Sequence, residues 1–222
     1  MNRNILKIIA VISMLLDHIG AFIFPSQIWF RIIGRIAFPI FAFFIAEGLK
    51  HTRSRKRYVL ALLICGVVSQ IPYSILFSSW KFNIIFTFLY AILLIYLLEN
   101  IKKNSYLLTV CVTFLTLFLI VFDLFQIISY GIFGVILVIV FYFSKNKKQA
   151  LFFGFITLIF LAIRFIDFSN ITFTSFNQFF AIFSLVLLYF YNHKKGKLNL
   201  KYLFYVFYPL HLLVVYIISS YL

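Results

Sequence analysis

A chain of 222 residues that is 64% hydrophobic and 11% charged, with a mean hydropathy of +1.09, carries too much apolar surface for a soluble domain of this size. Its net charge of +15 does not make it a nucleic-acid binder, because the Lys and Arg residues stand in short gaps between apolar runs and leave no soluble basic face to collect phosphates. The expectation is an all-α, polytopic membrane protein forming one integral domain over residues 1–222.

A membrane span needs about 20 apolar residues. Nine stretches qualify: 5–24, 32–49, 58–77, 82–98, 106–122, 127–143, 150–166, 176–192 and 202–222. The runs are uninterrupted and lack the apolar/polar alternation of a transmembrane barrel, so they read as helices. The first run passes through Phe24-Pro25 straight into the second and has no small-residue cleavage site, so it reads as a retained first helix. Cys65 and Cys111 fall inside spans and read as packing residues. With the amino terminus inside, sixteen of the twenty Lys and Arg residues fall on the inner side, which fixes the carboxy terminus outside. The other four, Arg31, Arg35, Lys81 and Arg164, fall at the outer end or in the outer half. The connection 78–81 and the stretch 167–175 are the most polar outer loops.

The hairpin Ile5–Arg57 holds the densest set of ionisable residues inside apolar sequence. A charge in hydrocarbon costs at least about 2.5–3.5 kcal/mol, so each one needs a partner or a purpose. Asp17 and Arg35 are placed to pair across two helices, and a purely structural bridge accounts for both without chemistry. His18 is different. Neighbours on a helix point about 100° apart, so Asp17 cannot orient His18, whose partner has to come from another span. A lone His on an apolar face is commonly a satisfied core residue; the functional alternative is catalysis or proton handling.

Polar residues recur at the outer end of other spans. Ser69-Gln70-Ile71-Pro72-Tyr73 interrupts the third, Asn83 and Thr87 open the fourth, Asp123 closes the fifth, and Arg164 and Asp167 close the seventh. The ninth carries His211 near the membrane centre, with Pro209 loosening the helix just before it. On the inner side Glu47 precedes a cationic loop containing Arg53, Arg55, Lys56 and Arg57. Topology and attraction to anionic headgroups explain such a loop; the sharper alternative is binding of the phosphates of a cytosolic nucleotide-like donor.

These residues carry a resemblance. Asp17-His18-Ile19-Gly20, Gly34-Arg35-Ile36-Ala37-Phe38-Pro39 with Glu47-Gly48, His51-Thr52-Arg53, and Ser69-Gln70-Ile71-Pro72 resemble, in order and spacing, the TraX family of membrane proteins. Asn83 with Phe86-Thr87, Asp123, Tyr130-Gly131-Ile132-Phe133-Gly134 and Phe204-Tyr205-Val206-Phe207-Tyr208-Pro209-Leu210-His211 resemble its later motifs, so the likeness covers nearly the whole chain.

The resemblance implies a multi-pass acyltransferase of the bacterial inner membrane. It would move acetyl from cytosolic acetyl-CoA to an amine at the outer side, on a peptide or pilin amino terminus or an amino sugar. In that reading His18 or His211 is the general base, and Arg35 holds Asp17 or steadies the oxyanion. Asp123, Gln70, Asn83 and Glu47 belong to substrate, while Arg53, Arg55, Lys56 and Arg57 hold the CoA phosphates. No metal is expected, and the expected partners are the lipid bilayer, acetyl-CoA and the amine acceptor, with no nucleic acid. Two other readings stay open on the residues alone: a small proton-coupled transporter using Asp17, His18, Arg35 and His211 as a relay, and a non-enzymatic accessory protein.

Overall fold

The computed structural model describes residues 1–101, 106–166, 173–197, 200 and 202–222. Lys102, Lys103 and Lys201 of the charge tally, Asp167, and most of the polar stretch 167–175 lie outside the described residues or their described side chains. The described residues form α1 (Arg3–Phe22), α2 (Ile28–Gly34), α3 (Ala37–His51), α4 (Arg55–Phe77), α5 (Ile84–Ile101), α6 (Tyr106–Leu124) and α7 (Gly131–Phe143). They continue with α8 (Lys147–Arg164), a 3-10 segment (Phe173–Ile182) that runs into α9 (Phe183–Tyr189), and α10 (Leu203–Ser220). There is no strand among them, only an isolated parallel bridge between Phe82 and Ile128.

Short polar side chains start several of these helices. The side chain of Asn2 accepts from Ile5 N at 3.0 Å, Ser54 from Arg57 N at 3.4 Å, Asn83 from Ile85 N at 3.0 Å and Asn146 from Gln149 N at 2.9 Å. Each satisfies a donor that the first helical turn leaves open. The second predicted span, 32–49, is longer than expected and not continuous: α2 and α3 together run over 28–51 and are offset at Arg35–Ile36. Pro39 explains the offset, since it has no N–H for the Arg35 carbonyl and its ring crowds that oxygen. The sixth and eighth spans are also corrected, the sixth beginning at Gly131 and the eighth opening as a 3-10 segment.

Four helices are long and apolar enough to cross a membrane among the described residues: Arg3–Phe22, Ile28–His51, Arg55–Phe77 and Leu203–Ser220. Shorter apolar helices cover Ile84–Asn100, Leu108–Leu124, Gly131–Phe143 and Ser175–Tyr189. A core of Leu6, Ile40, Leu49, Ile85, Ile92 and Leu137 is fully enclosed by these helices. Large apolar side chains also cover the outside, among them Ile64, Ile71, Phe114, Phe160, Val206 and Leu210. An outer surface of that kind is stable in lipid and not in water, which makes this a membrane protein.

Side-chain contacts join the helices at two opposite ends. One end links Arg3 to Glu47, Arg55 to Glu99, and Lys50 to the Phe141 carbonyl. The other links Asp17 to Arg31, Lys81 to Gln126, and Asp123 to Arg164. With α2–α3 taken as one passage and the 3-10 segment with α9 as another, successive passages therefore run in alternate directions.

α1 and α2 approach closely. A Cβ on Gly34 would stand 2.6 Å from the Asp17 Cα, so only glycine admits this contact of backbone against backbone. The approach sets Asp17 between Arg31 and Arg35, which flank Gly34 on its helix.

Candidate active site

A cavity of about 500 Å³ lies among the helices and is bordered by residues of α1 to α5, α7, α8 and α10. Met14, Asp17, His18, Arg31 and Arg35 form one wall, and Tyr130, Gly131 and Arg164 form another. Its deeper part is aromatic, with Phe38, Phe41, Phe88, Phe204 and Tyr208.

The partner His18 requires is His211. Nδ1 of His18 lies 2.8 Å from Nε2 of His211, and Nδ1 of His211 lies 2.9 Å from the Phe207 carbonyl. Those contacts dictate where the protons sit when both rings are neutral. A carbonyl only accepts, so Nδ1 of His211 holds its hydrogen and Nε2 is bare; His18 must then donate through Nδ1. The bare nitrogen left over is Nε2 of His18, which has no protein partner among the described residues. His211 is buried, 2% exposed, and its ring is stacked on Phe207 with centroids 4.9 Å apart, while Phe77 meets His18 edge-on at 5.7 Å. The local sequence of α10 serves this geometry. Pro209 leaves the Tyr205 carbonyl without its usual helical donor, and Cys65 Sγ takes that place at 3.6 Å.

Asp17 sits apart from this chain and is clamped by two cations. Nη2 of Arg35 donates to both of its carboxylate oxygens, and Nη1 of Arg31 reaches Oδ2 at 3.1 Å and the Asp17 carbonyl at 3.0 Å. Arg35 also donates from Nη1 to Gln178 Oε1 at 3.1 Å. Both terminal nitrogens of Arg35 are thus occupied, which favours its holding Asp17 over donating to a reacting oxygen.

The other residues singled out in the sequence are distributed as follows. Asp123 does not border the cavity: its Oδ1 accepts from Arg164 Nη2 at 2.9 Å and from Ile132 N at 3.0 Å. Gln70 and Asn83 join α4 to α5 through Asn83 Nδ2 to Gln70 Oε1 at 3.0 Å and to the Gly66 carbonyl at 2.8 Å, and they too stand outside the cavity. Glu47 lies at the opposite end, nearly enclosed, with Arg3 at 2.9 Å, Tyr191 Oη at 3.2 Å and His193 Nδ1 at 3.0 Å. Of the cationic loop, Arg55 is bound to Glu99 at 2.5 Å and to Tyr142 Oη at 2.8 Å. Arg53, Lys56 and Arg57 are exposed and make no ion pair among the described residues.

Sequence reasoning missed several cavity residues. Arg31 and Lys81 were visible only as outer charges, and Tyr73 and Tyr208 as parts of longer motifs. Tyr130 is the plainest omission: it has φ 60°, a left-handed conformation that bulky residues avoid, and it stacks on Phe38 with centroids 3.8 Å apart. The Tyr130-Gly131 dipeptide was its only signal, and Gly131 shares the left-handed conformation at φ +52°.

A cavity among apolar helices, bordered by His18 with His211 hydrogen-bonded behind it, defines a helical membrane protein with a candidate site for chemistry or binding. The chain belongs to the TraX family, whose sequence model, described as "TraX protein", matches residues 2–219. It is similar to "Probable fimbrial assembly protein FimC, serogroup H1" of Dichelobacter nodosus, with 29% identity covering 96% of each chain. "Protein TraX" of Escherichia coli is 34% identical over 91 residues, 40% of this chain and 37% of that one. No solved structure matches the chain.

Proposed function

We propose that this protein is a membrane-embedded N-acetyltransferase that moves acetyl from cytosolic acetyl-CoA to an amine presented at the outer face of the bacterial inner membrane. The observation that carries the reading is the hydrogen-bond chain from His18 through His211 to the Phe207 carbonyl, which leaves one bare ring nitrogen on a residue that borders the cavity. Membership of the TraX family supports it, as does the similarity to a protein named for fimbrial assembly.

In this reading nine passes cross the membrane, with the amino terminus inside and the carboxy terminus outside. Arg53, Lys56 and Arg57 hold the donor phosphates at the inner end, while Arg55 is committed to Glu99. His18 is fifteen residues along α1 from Arg3, about 22 Å at 1.5 Å per residue, so the pantetheine arm has to extend inward to bring the thioester to it.

The acceptor nitrogen attacks the thioester carbonyl carbon as Nε2 of His18 takes the amine proton. The new C–N bond forms, the carbonyl becomes a tetrahedral oxyanion, and its collapse breaks the C–S bond. His18 returns the proton to the leaving sulfur, giving the amide and CoA. His211 is a positioning residue: it accepts the His18 Nδ1–H and, through Phe207, helps disperse the charge of the imidazolium. The Arg31–Asp17–Arg35 clamp braces the wall in which His18 sits.

The test is transfer by purified protein in nanodiscs, with labelled acetyl-CoA and an extract of secreted and membrane amines, followed by identification of the labelled product. Label on an amine in wild type and none with His18→Ala is the expected result. Saturable solute accumulation in vesicles without acetyl-CoA, together with no donor binding, would replace this reading by that of a carrier.

A further inference from the structure

Four basic residues stand apart from the inner side in the charge pattern, Arg31, Arg35, Lys81 and Arg164, and all four border the same cavity. Among the described residues its lining holds a single carboxylate, Asp17. Arg31 and Arg35 share that carboxylate, Arg164 is matched by Asp123 just behind the wall, and the Nζ of Lys81 meets only the neutral Gln126 Oε1 at 3.0 Å. Among the described residues, counted with both acids, the cavity keeps two positive charges without a counter-charge. The Nε atoms of Arg35 and Arg164 are buried donors with no partner among the described residues. A bound anion would give the unpartnered Nε–H groups of Arg35 and Arg164 an acceptor and would be attracted by the exposed Lys81 at the cavity's edge.

The cations are held in place. Lys81 and Arg164 are both tied to the turn that ends α6, through Gln126 and Asp123, and Gln126 N donates to the Asp123 carbonyl at 3.0 Å. We propose that the acceptor carries a carboxylate near its reacting amine, and that Lys81, Arg164 and Arg31 hold this carboxylate while His18 receives the amine. The aromatic depth of the cavity then takes an apolar side chain of the same acceptor, so the substrate class is a peptide amino terminus with an acidic residue close to it. A lipid phosphate would offer the same charge. The peptide is favoured because residues of eight of the ten helices border the cavity, which places it within the bundle, unlike a headgroup groove on the lipid-facing surface of one or two helices.

Only the role of acceptor rests on the acetyltransferase reading; binding is measurable without a donor. Two tetrapeptide amides with free amino termini, identical except for Glu or Gln at the third residue, are titrated onto the full-length protein in phosphatidylcholine nanodiscs lacking acetyl-CoA. The Glu peptide is expected to bind about tenfold tighter at low salt, with the difference shrinking at high salt as the charges are screened. Lys81→Gln should abolish most of the difference and Lys81→Arg should keep it; Lys81 does not touch the histidine pair. Equal binding of the two peptides by wild type, or an undiminished preference in Lys81→Gln, overturns the proposal. Stabilisation by phosphatidylglycerol that is lost in Lys81→Gln, with both peptides indifferent, overturns it in favour of a lipid headgroup. A Glu preference without acetyl transfer supports this site while sinking the transferase reading, so the two failures are distinguishable.

Discussion

Replacing His211 separates the two histidines by role. In the hydrogen-bond chain, His18 gives its Nδ1 hydrogen to His211 at 2.8 Å, which leaves Nε2 bare for the proposed role of base. His211→Ala removes the acceptor, leaves a buried N–H without a partner at about 1–3 kcal/mol, and frees His18 to adopt the other tautomer, in which Nε2 carries the hydrogen. General-base contributions are typically about 10²- to 10⁴-fold, and a base in the wrong tautomer forfeits much of that, so turnover should fall about 10²-fold or more. His211→Gln is the informative variant. Its amide oxygen can accept from His18 Nδ1, restores the tautomer, and should recover turnover to within about tenfold of wild type. His18→Ala should leave no transfer above background, because no acceptor-side substitute supplies Nε2. The assay is single-turnover transfer from labelled acetyl-CoA, with a melting curve for each variant to establish folding. If folded His211→Gln is as inactive as His18→Ala, or folded His18→Ala retains turnover, the assignment of His18 as base and His211 as its positioning partner is refuted.

The clamp around Asp17 should behave as a buried ion pair. Asp17→Asn should cost about 3–5 kcal/mol of stability because it leaves Arg31 and Arg35 without a counter-charge, whereas Arg35→Gln should cost less because Arg31 still pairs with Asp17 at 3.1 Å, as read by detergent-solubilised unfolding. Gly131→Ala should lower stability by about 1–3 kcal/mol, since the residue has φ +52° and a Cβ there would run into the Asp123 carboxylate; an unchanged melting temperature would contradict that geometry. Replacing Arg53, Lys56 and Arg57 together by Gln should raise the KM for acetyl-CoA with little change in kcat. Arg55→Gln should instead act on stability, because its partners are Glu99 and Tyr142.

Composition and charge by themselves determined that the chain is a bundle of apolar helices, because a sequence this apolar has few stable alternatives and because Lys and Arg mark the gaps between spans. Helical angle alone separated Asp17 from His18, and the ordered motifs carried the family. Other facts depended on long-range contacts and were not legible in sequence. The choice of His211 as the partner of His18 spans 193 positions and rests on α10 packing beside α1 and α4. The pairing of Asp123 with Arg164 and the hydrogen bond between Asn83 and Gln70 likewise came from helix neighbours, so residues expected to meet substrate join helices to one another. The gathering of Arg31, Arg35, Lys81 and Arg164 around one cavity was decided in the same way. Sequence sorts charges by membrane side, since that depends on their order along the chain, but only packing determines which charges on one side meet.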